Sequence, residues 1–380
     1  MELSFYVHIP YCVKRCGYCD FNTYTPAELQ ISTGLTQISN SYIDLLIQEI
    51  DLAKTQVGQA SVPTIFFGGG TPSLMEPTDI ARVIKVIDNK FGLTGDCEIT
   101  LETNPDTVDK EKLAAFKAAG VNRISFGMQS AVPHVLATLD RTHNPANLPQ
   151  VTKWAAEVGF KDISVDLIYG TPGESLEDWQ TSIDSALDLP INHISAYALI
   201  VEEGTKLANA IKRGEIANVD DDLTAEKYLM ADRAFTKAGF AWYELSNWSK
   251  DSGESKHNIA YWLNKNWWGA GPGAHSHING RRWWNVKHPN LYREKIQKNI
   301  SPELDSEILE PIQIESERLM LSIRLPEGIT KDSLSGNQIM SLNQYLESGA
   351  LDSEKWDAGS VSLTLSGRLI ADRIVREILL

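Results

Sequence analysis

Between residues 3 and 199 the chain alternates short β-branched apolar runs with longer stretches of helical period, the pattern of a parallel sheet built through helical crossovers. Six runs stand out: LSFYVHI (3-9), TIFFG (64-68), EITLE (98-102), RISFG (123-127), ISVDLIYG (163-170) and HISAYAL (193-199). DIARVIKVIDNKF, KEKLAAFKAAG, VTKWAAEVGF and LEDWQTSIDSALDL lie between them and read as helices, with Gly120 and Gly159 placed as left-handed caps. Six strands with right-handed crossovers make either an open doubly wound sheet or a partial barrel, and periodicity does not choose between them. Both architectures place their sites at the carboxyl ends of the strands. Glu102, Gln129 and the Gly68-Gly69-Gly70 turn fall there, and Asp166 lies just inside its strand.

The pattern changes after residue 205, giving an expected first unit of 1-205 and a second of 206-380. EEGTKLANAIKRGE and the acidic stretch at 219-222 read as surface linker and turn. A helix (LTAEKYLMADRAFTKAGF), an aromatic, Gly-rich segment and a helix-strand-helix tail follow. The tail resembles the end of a winged helix, but Asp372 and Glu377 offset Arg368, Arg373 and Arg376, so packing against the barrel is the expected role.

Composition narrows the partners. The 380 residues carry 35 Lys+Arg against 50 Asp+Glu, a net charge of −15, which disfavours a phosphate backbone as partner. With no basic segment ahead of a long apolar run and no stretch of about 18 apolar residues, a reducing cytosol is the expected compartment. Four cysteines are too few for a disulfide scaffold.

Three of them, Cys12, Cys16 and Cys19, form a C-x3-C-x2-C loop directly after the first strand. Structural zinc prefers four ligands, usually as two knuckles, and no second knuckle is present. Three thiolates suit a 4Fe-4S cubane with one iron left open to a chelating molecule. Two other readings stay open at this level: zinc completed by His8 or Cys97, and three unrelated core thiols. Cys97 itself reads as a small buried hydrophobe.

The loop resembles that of the radical S-adenosylmethionine superfamily. YVHIPYCVKRCGYCDF, FFGGGTPS, ETNPD, RISFGMQS and VDLIYGTPGE are similar, in order and spacing, to the family of oxygen-independent coproporphyrinogen III oxidase and its relatives. The resemblance implies a partial (β/α)6 barrel with a smaller α+β domain, and a cluster whose open iron binds the amine and carboxylate of S-adenosylmethionine. It implies cluster ligands Cys12, Cys16 and Cys19, a cradle at Gly69, Gly70 and Thr71, and cofactor contacts at Glu102, Gln129, Arg141 and Asp166, with Tyr6 and Tyr18 packed nearby. Without the loop, Glu102, Gln129 and Asp166 read equally as polar groups satisfying one another at a barrel mouth, and Arg141 as an ion-pair partner.

Within this family the oxidase carries a further Cys two residues past the third and a long segment before the loop; here Asp20 and Phe21 follow Cys19, and eleven residues precede Cys12. His257, Asn258, Tyr261 and Trp262 match the HNxxYW motif that marks the HemW type. That resemblance implies a haem chaperone passing haem to acceptor haemoproteins, membrane respiratory enzymes among them; oxidative decarboxylation of coproporphyrinogen III is the competing expectation. Seven of ten tryptophans lie between 242 and 284 with His257, His275 and His277. Flat aromatic area and imidazole suit a metallated macrocycle, but such a segment also reads as an irregular core. If haem binds there, His257 is the expected ligand, His275 and His277 are second candidates, and Arg281 and Arg282 the expected partners of the propionates. Exposed aromatic surface there also suits a dimer or a peripheral membrane contact.

Overall fold

In the computed structural model, which describes residues 1-29 and 35-379 (35-40 by backbone alone), the six expected runs are six parallel strands. They are β1 (Ser4–Ile9), β2 (Val62–Gly69), β3 (Leu93–Thr103), β4 (Arg123–Gln129), β5 (Asp162–Tyr169) and β6 (His193–Ala198). The crossovers carry α1 (Leu35–Val57), α2 (Pro77–Phe91), α3 (Lys110–Ala118), α4 (Pro133–Thr138), α5 (Leu148–Glu157) and α6 (Leu176–Leu187). Local chemistry sets their ends. Pro77 opens α2, where its missing N–H costs nothing, and Ser175 with Asp178 forms a capping box on α6. Gly120 and Gly159 take φ of +110° and +94° just past their helices, as their placement predicts.

Strand alternation divides the sheet into two chemically different faces. Phe5, Val7, Ile65, Phe67, Leu101, Ile124, Phe126, Val165, Leu167 and Ile194 belong to one buried core beneath the helices. The alternate positions, Tyr6, Phe66, Thr100, Glu102, Ser125, Gly127, Ser164, Asp166, His193 and Ser195, line a single cavity shared by all six strands. A flat sheet cannot bring Tyr6 of β1 and Ser195 of β6 to one cavity, so the sheet is curled, and the partial barrel is the right alternative.

The sheet continues on both sides of the barrel. β8 (Asn247–Ser249) pairs antiparallel with β6 and carries β7 (Ala241–Glu244). β9 (Trp267–Ala270) pairs parallel with β1, placing Ser4 opposite Trp267, and β10 (His275–Ile278), β11 (Arg281–Asn285) and β12 (Glu303–Ile308) complete twelve strands. Between β6 and β7 lie α7 (Lys206–Lys212) and α8 (Asp221–Lys237); α9 (Lys256–Trp262) joins β8 to β9. The segment expected as linker is therefore largely helical. Asp220 caps α8 through the Leu223 amide, and Asp221 and Asp222 sit in its first turn, where the helix dipole favours negative charge.

Residues from Leu319 to Ile378 form a second, separate core. Arg368 docks this tail onto α8, donating to Asp232 at 2.8 Å and to the Tyr228 hydroxyl at 3.2 Å. Among the described residues no helix is long and apolar enough to cross a membrane.

Candidate functional site

The cysteine loop is held from four directions. Cys12 N donates to Tyr24 O, Gly17 N to Leu139 O, and Leu207 N to Gly17 O, while the Asn22 amide donates to Pro272 O and Lys287 O, both at 2.9 Å. Glycine fits closely at position 17, where a Cβ would meet that of Asp140 at 3.0 Å and press it aside by a few tenths of an ångström. The loop turns Cys12, Cys16 and Cys19 into the mouth of the barrel cavity, whose volume is about 600 Å³, within the range of small-molecule sites.

Thr71 and Arg141 serve the thiols. The Thr71 hydroxyl donates to Cys12 Sγ at 3.7 Å and Arg141 Nη1 to Cys16 Sγ at 3.4 Å. Burial pushes the Cys12 thiol up to about 11 and raises Cys19 as well, so ionising the set calls for positive charge beyond that of Arg141. Neither candidate for a fourth zinc ligand is free to serve. Cys97 lies in the amino half of β3, donates to Glu98 O and does not border the cavity. His8 Nε2 donates to Asn22 O at 2.9 Å, and its Nδ1 is bonded to the Tyr6 hydroxyl at 3.0 Å. Among the described residues no three His, Cys, Asp or Glu side chains converge closely enough to hold one ion.

The glycine turn after β2 offers close approach rather than free donors. Gly69 N donates to Glu102 Oε2, Gly70 N to Ile9 O and Thr71 N to Tyr11 O. A Cβ on Gly70 would lie 2.6 Å from Tyr11 O, and one on Gly69, whose φ is +109°, 2.4 Å from the His8 ring. The expected cradle is present sterically, but its amides are already engaged by the protein.

Deeper in the lumen lie polar groups without enough partners. Gln129 takes a left-handed φ of +56° at the end of β4, and its buried Oε1 accepts no hydrogen bond from the described residues. Arg123 gives Nη1 to Gly253 O at 2.8 Å, while its buried Nη2 has no acceptor. Both Asp166 oxygens accept from the Ser125 hydroxyl, at 3.0 and 2.9 Å. Burial first, and the Asp166 charge second, push the Glu102 carboxyl up to about 7; burial raises Asp166 too. Such a set suits a ligand that brings donors for Gln129 and the carboxyls and an acceptor for Arg123 Nη2.

Thirteen of the residues singled out from the sequence border this one cavity: Tyr6, Cys12, Cys16, Tyr18, Cys19, Gly69, Gly70, Thr71, Glu102, Gln129, Arg141, Asp166 and His257. Asn258 and Tyr261 of the HNxxYW motif border it as well, and the sequence reading missed Arg123, Ser164, His193 and Asn247, which do too. Counting inward in steps of two from Gln129 reaches Gly127, Ser125 and Arg123, so strand period alone would have found one row of them.

The family model of the radical SAM superfamily matches residues 6–186. The chain is 43% identical over 374 residues to the heme chaperone HemW of Mycobacterium tuberculosis, covering 98% of this chain and 94% of that one. It belongs to the HemW family of the radical SAM superfamily. The Bacillus subtilis heme chaperone HemW is 34% identical, covering 98% of this chain and 97% of its own. The fold is shared with coproporphyrinogen III oxidase (HemN) of Escherichia coli, with a TM-score of 0.83 at 20% identity, covering 99% of this chain and 90% of that one.

Membership of the superfamily implies a 4Fe-4S cluster and S-adenosylmethionine. The lumen fits them: thiols crowd its mouth, a glycine turn permits close approach, and Gln129 Oε1 awaits a donor.

His257 enters the lumen from α9, with both ring nitrogens engaged: Nδ1 with Thr64 Oγ1 at 2.7 Å and Nε2 with the Tyr261 hydroxyl at 3.0 Å. It can meet iron only by giving up Thr64 or Tyr261. The other haem candidates of the sequence lie elsewhere. His277 bonds Lys265 O and Gly280 N, and His275 stacks on Trp284, 5.7 Å between centroids. Arg281 pairs with Glu303, and Arg282 with Glu307 and Glu317, so neither is a free cation for a propionate. The tryptophans are dispersed as packing: Trp248 donates to Asp232, Trp268 meets Trp283 edge-on at 5.2 Å, and Trp242 lies under Arg368. None of the seven borders the cavity.

Proposed function

We propose that this chain is a haem chaperone, built on a cluster- and S-adenosylmethionine-binding barrel, that holds haem and passes it to acceptor haemoproteins. The relatives named heme chaperone, 43% and 34% identical across nearly the whole chain, carry this reading. The oxidase shares the fold at 20% identity and supports no activity here.

In this reading Cys12, Cys16 and Cys19 hold the cluster. When bound, the cluster and S-adenosylmethionine supply one-electron chemistry at the barrel mouth. Arg141 and Thr71 stabilise the thiolates through hydrogen bonds at their sulfurs, Gly69 and Gly70 allow close approach, and Gln129, Glu102 and Asp166 accept from the cofactor's donors.

The rim gives haem a place to rest. Val13, Phe21, Ile200 and Tyr197 border the cavity and are 67%, 61%, 70% and 45% exposed, an apolar collar around an otherwise polar opening. Lys14 and Lys206, which both reach Asp140, are the cations we assign to a propionate at this mouth, where Asp20 and Glu202 also stand. We assign haem to this mouth in place of the tryptophan-rich sheet. Delivery to membrane respiratory enzymes, with a peripheral membrane contact or a homodimer, belongs to the same proposal.

Titrating anaerobically reconstituted chain with haem and following the Soret band tests it. Val13→Asp with Ile200→Asp is expected to weaken haem by about tenfold or more, one lost apolar anchor being worth at least that, with iron content unchanged. No haem retention by the unaltered chain would overturn the function.

A further inference from the structure

Ser73 of FFGGGTPS and Asp106 of ETNPD stand outside the cavity, yet both belong to one hydrogen-bonded bracket behind it. Thr107 Oγ1 donates its single proton to Asn104 O at 2.8 Å, so the buried Ser73 hydroxyl, 2.6 Å away, donates to Thr107. Ser73 Oγ in turn accepts from Asn104 N at 3.1 Å, and Lys112 Nζ donates to Ser73 O at 2.7 Å. The turn after β2 is thereby fastened to the turn after β3. From there Asp106 reaches the loop after α4: its Oδ2 accepts from Asn144 N at 3.1 Å and its Oδ1 from Asn147 Nδ2 at 2.9 Å.

His143 is buried in that loop, directly before Asn144 and close behind Arg141. Arg141 Nε donates to His143 Nδ1 at 3.2 Å. A guanidinium only donates, so Nδ1 carries the lone pair and the ring proton sits on Nε2. Burial first and the Arg141 charge second lower His143 to about 4, so the ring stays neutral at pH 7. The other two edges of the guanidinium are held as well: Nη1 donates to Cys16 Sγ and Nη2 to Gly127 O, each at 3.4 Å. A Cβ on Gly127 would lie 2.8 Å from Nη2 and push it aside. Three acceptors fix the plane of this rigid fork. At the other end of the bracket Thr71, on the same turn as Ser73, donates to Cys12 Sγ at 3.7 Å.

From this arrangement we infer that His143 is a positioning residue for the cluster: by accepting the Arg141 Nε proton it aims Nη1 at Cys16 Sγ. Asp106 and Ser73 tie that donor to the turn carrying Thr71, so the sulfurs of Cys12 and Cys16 receive their hydrogen bonds from one braced unit. Hydrogen bonds at the sulfurs tune the reduction potential of an iron–sulfur centre, because each donor favours the more negative, reduced state. With the His143 acceptor lost, the Arg141 Nε–H has no partner, and the fork turns to recover one at the expense of Cys16. The inference rests on the reading that Cys12, Cys16 and Cys19 hold a cluster, and it is independent of haem.

The test uses the full chain with its cluster reconstituted anaerobically. It compares His143→Phe, which keeps a flat ring without the acceptor, with His143→Gln, whose Oε1 can accept from Arg141. EPR-monitored titration should find the one-electron potential of His143→Phe lowered by about 30–60 mV, a three- to tenfold change in the equilibrium constant, with iron content unchanged. His143→Gln should recover most of that shift. Asp106→Ala, a surface change that leaves the ring in place, should move the potential the same way by a smaller step. Histidine-selective ¹⁵N NMR on the cluster-free chain should find His143 protonated on Nε2. An unmoved potential in His143→Phe, equal shifts in the two His143 variants, as a packing role alone predicts, or a His143 proton on Nδ1 overturns the inference. Should His143→Phe not fold, an unmoved potential in Asp106→Ala overturns it instead. If the unaltered chain builds no cluster, the cluster reading falls, and the NMR result still decides whether His143 serves Arg141. Loss of haem binding, which would overturn the chaperone, touches none of these readings.

Discussion

The barrel strands β1–β6 and the extension β7–β12 belong to one sheet, are both rich in aromatic residues, and do opposite things with them. In the extension, Trp248, Trp268 and Trp283 are almost wholly buried against neighbours and fill the space they enclose. In the barrel, the inward row is Tyr, Thr, Glu, Ser, Asp, Gln and His; it leaves a cavity of about 600 Å³ and, among the described residues of these strands, three lining polar atoms without partners, on Thr100, Arg123 and Gln129. Aromatic density therefore marks packing here, and a polar-lined cavity marks the site; unpartnered polar atoms alone do not, since Trp242 Nε1 and Ser249 Oγ of the extension are buried without partners as well. Burying such groups costs stability unless something meets them, which an apolar core never requires.

Four substitutions probe that contrast, the first aimed at the extension. Trp268→Ala is expected to cost about 3–5 kcal/mol, the usual penalty for emptying an aromatic core position, read as a lower denaturation midpoint. Haem binding by the fraction that stays folded should be unchanged; a selective loss of haem would return the site to the tryptophan-rich sheet.

Glu102→Gln should act the other way. A carboxyl held at about 7 keeps its proton in the folded chain where the unfolded chain, near 4.5, has lost it. Its contribution is thus intact below about pH 4.5 and is lost as pH rises through 7, a cost of roughly 3 kcal/mol at most. The cofactor-free variant is expected to melt a few degrees above the unaltered chain at pH 8 and level with it at pH 4.5, while binding S-adenosylmethionine more weakly. Equal midpoints at pH 8 would mean that the carboxyl is not held neutral by the lumen.

The smallest effect is expected at Arg282. Its pairs with Glu307 and Glu317 lie at the surface, where such bridges are worth about 0–1 kcal/mol. Arg282→Ala should leave haem affinity unchanged within error, whereas Lys14→Ala should lower it modestly.

Most of the barrel was legible because each strand carries its own signal: a β-branched run, a terminal glycine or polar residue, and a capped helix behind it. The site was legible because its residues cluster at strand ends or in the cysteine loop. What escaped depended on curvature and on distant pairing. Arg123 and His193 look like strand-start residues until the sheet curls and turns them into one lumen. Arg281 and Arg282 look available until Glu303, Glu307 and Glu317 arrive from later elements. The acidic stretch at 219-222 looked like surface linker and turn because only its helical context makes Asp220 a cap and Asp221 and Asp222 first-turn charges.

The two hydrogen bonds from Asn22 to Pro272 and Lys287 also have a meaning in time. On the ribosome the cysteine loop is made some 250 positions before the carbonyls that pin it. β1 waits equally long for β9, since Ser4 pairs with Trp267. The thiols are therefore made early and seated late, so a cluster delivered during synthesis would meet a loop without its final shape. Closure over so long a span is also slow, which favours loading the finished chain.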